Sequence, residues 1–211
     1  MFPQFGNNSK CLSYSYLDYD NGNWKGNSKL YDIISGSISE YHDYENVAIF
    51  WFSYPVKKYN KVFTAFDANY SLYSVGVVDF ESDTLRVLRN YPLYKYFETS
   101  ISLPIVSPDD KYIYTSAMMG TAFGGVPDYN IYVYDVETED SVATISTKGI
   151  FNYTPDVYSI TYDGKYLLVQ QLHESGSEPL THFCLIDAKN FEIIKVFDFG
   201  GRSRHISTKR N

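Results

Sequence analysis

Cysteine is scarce, with Cys11 and Cys184 the only two in 211 residues. Two thiols this far apart make no disulfide framework, so both are expected to be buried, inert thiols. Positive charge is also short. Lys and Arg number 18 against 25 Asp and Glu, for a net charge of −7. That excludes a general nucleic-acid binder, which needs a basic stripe to neutralise phosphates. No run approaches the ~18 apolar residues of a membrane span. The opening MFPQFGNNSK has neither the basic region nor the apolar core of a signal peptide. With no disulfide framework either, a cytoplasmic location is favoured and no membrane contact is expected. Sequons at Asn7, Asn69 and Asn152 matter only in a secreted chain.

Helical signals are nearly missing as well. No long stretch carries i, i+3, i+4, i+7 apolar spacing with caps. There is no G-x-S-x-G, no H-E-x-x-H, no phosphate loop and no nucleotide fingerprint. No catalytic residue, metal or cofactor is assigned on this basis.

What is abundant is aromatic: 22 Tyr and 14 Phe, within a hydrophobic fraction of 44%. Such residues fit a pleated, half-buried surface, so the composition favours strands around a substantial core.

The strands recur with a period of about 50 residues. DKYIYTS (Lys111) has relatives in SKCLSYS (Lys10), NKVFTAF (Lys61) and GKYLLVQ (Lys165). Each lysine follows a turn former: Ser9, Asn60, Asp110 or Gly164. YVYDVET (Asp135) has relatives in KLYDIIS (Asp32), GVVDFES (Asp79) and CLIDAKN (Asp187). Each aspartate is followed at the third position by Ser35, Ser82, Thr138 or Asn190. A short polar side chain at a strand end accepts backbone N–H groups two residues on and so pre-forms a turn. The pairs Asp109-Asp110 and Glu139-Asp140 are read as solvated turn residues.

One further strand precedes each lysine and one follows each aspartate turn. SVATIST illustrates the alternation, with Val142, Thr144 and Ser146 on one face and Ala143 and Ile145 on the other. Four antiparallel strands per unit and four units result, at about 1–43, 44–98, 99–152 and 153–199, with a tail at 200–211. Such a unit buries both faces of its sheet by stacking on its neighbours. This predicts an all-β β-propeller of four four-stranded antiparallel blades, either a four-bladed ring or half of a larger propeller. A Greek-key β-sandwich is the competing architecture. An unclosed propeller would expose two apolar blade faces, which predicts a homodimer.

SPDDKYIYTS…IYVYDVETEDSVATIS resembles a WD-repeat or YVTN-type blade, and TYDGKYLLVQ…FCLIDAKNFEIIKVF is similar. The stretch lacks the Gly-His pair of WD repeats, and Tyr134 stands where their Trp precedes the aspartate. The resemblance implies the propeller fold and says little about activity.

Function is expected where the connections are irregular, between strands two and three of each blade: 17–28, 66–71, 117–130 and 171–182. Trp24 is a candidate aromatic anchor for a partner. Met118, Met119 and Phe123 lie among glycines and suit an adaptable contact surface. His173 and Glu174 complete the candidate binding residues. Asp18, Asp20, Asn21 and Asn23 are reminiscent of a calcium loop, but Gly22 comes one position early. His173, His182 and Cys184 match no standard zinc spacing. The basic tail carries Arg202, Arg204, His205, Lys209 and Arg210. The expected function is a non-enzymatic binding or scaffold module for a protein partner. The alternative is a lactonase-like hydrolase or quinoprotein-related oxidoreductase with a site at the propeller's central channel.

Overall fold

The computed structural model describes residues 4–6, 10–20, 23–42, 48–68, 72–92, 104–116, 128–151, 154–171 and 182–198. Among them the only helical segment is a single 3₁₀ turn at Lys57–Tyr59, and no helix is long and apolar enough to cross a membrane.

The chain forms two compact units, Met1–Lys95 and Tyr96–Asn211. In the first, β1 (Gln4–Phe5), β2 (Cys11–Asp20), β3 (Asn23–Asp32) and β4 (Ile38–His42) make one sheet. A second sheet comprises β5 (Ala48–Val56), β6 (Lys61–Ala68), β7 (Leu72–Asp79) and β8 (Thr84–Pro92). In the other unit, β9 (Ile105–Val106), β10 (Tyr112–Ser116), β11 (Asn130–Asp135) and β12 (Ser141–Ser146) make the third sheet. The fourth is β13 (Pro155–Ile160), β14 (Tyr166–Gln171), β15 (His182–Asp187) and β16 (Ile193–Asp198). Every pairing between these strands is antiparallel and, within each sheet, each strand neighbours the next in sequence. A Greek key would bring non-consecutive strands together, so the sandwich alternative fails. These are four β-propeller blades.

The core of each unit lies between its two blades. Cys11, Leu30 and Tyr41 of the first blade pack with Val62, Phe66 and Val78 of the second. Tyr114, Ile131, Val133 and Ile145 of the third pack with Leu167, Val169, Cys184 and Ile186 of the fourth. Each fully buried aliphatic or aromatic side chain contributes about 1.5–3 kcal/mol over its exposed state. The alternation read in SVATIST holds, with Ile145 buried and Val142 49% exposed. Both cysteines are buried, and burial pushes the Cys184 thiol up to about 12, so it packs as a small hydrophobe.

The aspartate turns share one construction. Oδ1 of Asp32 accepts from the backbone N–H groups of Ile34 and Ser35 at 2.9 and 3.1 Å. The corresponding distances are 2.8 and 3.3 Å at Asp79, 2.9 and 3.0 Å at Asp135, and 2.8 and 2.9 Å at Asp187. The residue four places after each aspartate has a positive φ: Gly36 at 73°, Asp83 at 53°, Glu139 at 64° and Phe191 at 60°. Glu139 is only 8% exposed, so it is not the solvated turn residue expected. It sits at the turn's left-handed position, where the chain reverses back toward the sheet.

The lysine and aspartate markers keep step because they are bonded neighbours. Ile33 N–H donates to the Lys10 carbonyl, Val136 to Lys111, and Ala188 to Lys165, at 2.9, 2.9 and 2.8 Å. In the second blade Phe80 N–H donates instead to the carbonyl of Asn60. Lys61 stands across from Asp79, where Cys11, Tyr112 and Tyr166 stand across from their own aspartates. The marker in that blade is therefore Asn60, one residue earlier than expected, and Lys61 is buried.

Two expected loops are strands. Residues 17–28 lie in a long hairpin paired to its tip, with Asp18 opposite Lys25, Tyr19 opposite Trp24 and Asp20 opposite Asn23. The connection is 21–22 alone. In the second blade β6 runs on to Ala68, which pairs with Leu72, leaving 69–71. A polar composition suits a strand pair as well as it suits a loop, and Asn27 and Ser28 are buried in the first of these.

Candidate functional site

The third and fourth blades keep their long connections, at 117–129 and 172–181. Both emerge at one end of the blade pair, because the tight turns of both blades meet at the other. There, a Cβ added to Gly164 would lie 3.4 Å from Cδ of Pro108.

The base of the long connections is polar. Tyr132 Oη donates to Asp128 Oδ2 at 2.7 Å. Asn130 donates to Asp128 Oδ1 through its backbone N–H at 3.1 Å and its Nδ2 at 2.9 Å. The Thr147 hydroxyl and N–H both donate to the Tyr129 carbonyl, at 2.9 and 2.8 Å. In the fourth blade Gln170 Nε2 donates to Asp156 Oδ2 at 2.7 Å. Thr115 and Ser116, at the last positions of β10, are wholly buried. Their hydroxyls find no partner among the described residues. Buried polar groups ordinarily have partners, so the end of β10 is built to meet polar atoms.

The opposite end holds a cleft of about 410 Å³ between the tight turns. Ser107, Asp109, Lys111, Tyr114, Asp163 and Lys189 are among its lining residues. The sequence reading assigns these turns to structure alone; the paired S-P-D-D-K and T-Y-D-G-K stretches show that the two turns are alike but not that they meet. Most of their polar groups are already engaged. Ser107 Oγ donates to Asp109 Oδ1 at 2.6 Å and accepts the N–H groups of Lys111 and Tyr112 at 3.1 and 2.8 Å. Thr161 Oγ1 repeats this with Asp163 at 2.8 Å and the Tyr166 N–H at 3.0 Å. The Thr161 hydroxyl bond, then the Lys165 N–H, hold the Asp163 carboxyl down at about 2. The Lys189 and Asn190 N–H groups likewise lower Asp187, the Asn190 bond most. Lys111 is raised by its bond to Tyr112 and Lys165 by its bond to Asp163. Burial raises the Tyr114 phenol, whose hydroxyl donates to the Ala188 carbonyl at 3.4 Å. Each of these shifts carries its group away from neutrality. None of these groups is poised to exchange a proton near pH 7, which is what general acid–base work requires. The cleft can hold charged or polar atoms.

Of the candidate binding residues, Trp24 has its backbone in β3, opposite Tyr19. Met118, Met119, Phe123, His173 and Glu174 lie outside the described residues, as does the basic tail. His182 is in β15 and Cys184 belongs to the inter-blade core, while His173 lies outside the described residues. Among the described residues no group of three or more His, Cys, Asp or Glu is placed to hold a metal.

No protein-family model and no curated protein matches the chain. Solved structures do. TolB from Acinetobacter baumannii is 16% identical with a TM-score of 0.51, over 92% of this chain and 42% of that one. The β-propeller domain of the Trilobed protease from Pyrococcus furiosus, with an open velcro topology, is 10% identical with a TM-score of 0.54, over 92% and 55%. A hypothetical selenium-binding protein from Sulfolobus tokodaii is 14% identical with a TM-score of 0.58, over 90% and 53%. At these identities the likeness shows the fold, a β-propeller. The chain spans about half the length of these three structures.

Proposed function

We propose that the chain is a non-enzymatic binding module that receives a protein partner on the end of blades three and four where 117–129 and 172–181 emerge. The observation that carries this is the asymmetry between the two ends. The tight-turn end has short connections, whereas the opposite end has the two long ones, next to the buried Thr115 and Ser116 hydroxyls that find no partner among the described residues. Irregular segments on a rigid scaffold are where binding residues concentrate. Met118, Met119, Phe123, His173 and Glu174 are the proposed contacts, with Trp24 the matching position on the first blade. The repeated Asp-x-x-Ser/Thr/Asn turn supports kinship with WD-repeat or YVTN-type blades. Likeness to a propeller that is one domain of a protease supports reading the chain as a module.

The test is affinity capture from the source cell with three proteins: wild type, Met118→Ser/Met119→Ser/Phe123→Ser, and Asp109→Asn. The loop variant should lose the captured protein while keeping the wild-type circular dichroism, and Asp109→Asn should retain it. Capture that survives the loop variant and fails with Asp109→Asn would move the surface to the tight-turn cleft. Turnover of a lactone, or quinone-dependent oxidation of an alcohol, by the wild type would instead favour the enzyme.

A further inference from the structure

The four blades serve as references for one another. Cys11, Lys61, Tyr112 and Tyr166 each stand across from a turn aspartate, so positions can be matched between repeats. Two residues beyond that point lie Ser13, Phe63, Tyr114 and Leu168. Directly after the aspartates lie Ile33, Phe80, Val136 and Ala188, followed by Ile34, Glu81, Glu137 and Lys189. Three of these residues, Tyr114, Ala188 and Lys189, meet at the tight-turn cleft of the second unit. Each departs from its counterparts. Ala188 is the smallest side chain of its set, and the cleft opens beside it. Lys189 is the cation of its set. Tyr114 brings a phenol to a position that Phe63 and Leu168 fill with hydrocarbon. A blade needs none of the three in order to form, since the other blades do without them.

The carboxylates of the cleft are engaged by their own turns, whereas its donors have capacity left. Asp109 Oδ1 accepts from the Ser107 hydroxyl and the Lys111 N–H. Asp163 accepts from the Thr161 hydroxyl and the Lys165 N–H, and the Lys165 ammonium lies 3.1 Å from its Oδ2. Tyr114 is wholly buried, yet its hydroxyl reaches the Ala188 carbonyl only at 3.4 Å, outside the range of roughly 2.5–3.0 Å usual for a hydroxyl donor. A buried phenol so weakly bonded is open to a better acceptor. Lys189 spends its backbone N–H on Asp187, while its exposed ammonium has no hydrogen bond or ion pair among the described residues. The Lys111 ammonium bonds the Tyr112 phenol and has donors to spare.

Such donors call for an anion. The charges of Asp109 and Asp163 on the same lining oppose a second negative charge, which favours a single carboxylate over a dianionic phosphate. Pro108 and the Tyr112 ring add an apolar wall, and Phe191 meets that ring edge-on at 5.6 Å. A volume of about 410 Å³ lies toward the small end of ligand pockets. We propose that the cleft binds a small organic monocarboxylate, its carboxylate on the Lys189 and Lys111 ammonium groups and the Tyr114 hydroxyl, its apolar part against Pro108 and Tyr112. The cleft lies at the end of the blade pair opposite the long connections, so its failure would leave the partner-binding reading untouched.

Sodium benzoate, titrated into the isotope-labelled wild-type chain, should shift the Gly164 and Ala188 amide resonances with a Kd of about 1 mM. Benzamide, which keeps the ring without the charge, should leave them in place. Inorganic phosphate at equal ionic strength should bind more weakly than benzoate. Lys189→Met and Tyr114→Phe should each weaken benzoate about 10-fold, while Lys195→Met on β16 should change nothing. N-acetylphenylalanine distinguishes the two sources of such a carboxylate: tighter binding than benzoate assigns the cleft to a peptide chain end, weaker binding to a free small acid. The proposal is overturned if benzoate leaves both resonances unmoved up to about 20 mM. It is also overturned if benzamide or phosphate binds as well as benzoate, or if Lys189→Met binds benzoate like wild type.

Discussion

At the residue scale the turn aspartates are the most informative positions. Asp135 satisfies two backbone N–H groups that would otherwise need water, much as a cap does at a helix terminus. Asp135→Ala should therefore cost about 1 kcal/mol, while Asp135→Asn, which keeps the acceptor oxygen, should cost less. Urea unfolding midpoints of the three proteins check this; equal midpoints would mean water serves the turn as well as the carboxylate. Asp163 allows a test by pH. Its carboxyl is depressed from 3.8 to about 2 by Thr161 and the Lys165 N–H. A depressed acid stabilises the fold above its unfolded value and loses that contribution as pH falls through the folded one. The stability advantage of wild type over Asp163→Asn should be constant above about pH 5, shrink as the pH falls through about 2 and be gone near pH 1. A difference that persists at pH 1 would mean the asparagine disturbs the turn by shape, not charge.

At the scale of single elements, backbone conformation decides what side chains can occupy. Gly76 lies in β7 beside an irregular register with β8. An added Cβ would come within 2.6 Å of the Arg86 carbonyl oxygen and 2.8 Å of Phe66 Cε1. Gly76→Ala should destabilise by about 1–3 kcal/mol, because a backbone atom cannot step aside as a side chain can. The left-handed turn position gives an opposed pair of outcomes. Asp83 is exposed at φ 53°, so Asp83→Gly should stabilise by about 0.5 kcal/mol through relief of strain. Phe191 shares that conformation, but its ring packs edge-on against Tyr112 at 5.6 Å. Phe191→Gly should lose about 1 kcal/mol net, since the packed ring outweighs the strain. Thermal unfolding of the two variants separates the contributions. The turns were legible in the sequence because Asp-x-x-Ser/Thr/Asn encodes its own hydrogen bonds. Residues 17–28 were misread because a polar strand pair and a loop share composition. The offset at Asn60 was hidden because a lysine happens to stand one place further on, and only strand register could expose it.

At the scale of the molecule, the period of about 50 residues announced the blades, since four-stranded units that repeat and are apolar on both faces bury them by stacking on one another. The tight-turn cleft was not legible, because it is made where two turns distant in sequence meet. The division into two units was hidden as well, since every blade carries the same local pattern. That division has a measurable consequence. The second core runs from Tyr114 to Ala188 and draws on both of its own blades. A piece of this size exceeds the ~40 residues below which a single core rarely suffices. Expressed alone, Tyr96–Asn211 should unfold in one cooperative urea transition. It should also keep a near-ultraviolet tyrosine signal, because Tyr114 is wholly buried in the same core cluster as Leu167 and Ile186 of its own unit. If the fragment keeps its strand content but loses that signal and binds a hydrophobic dye, the core needs the other unit to set its packing. Blade pairs would then be no more than a geometric division, and the whole chain would be the smallest cooperative unit.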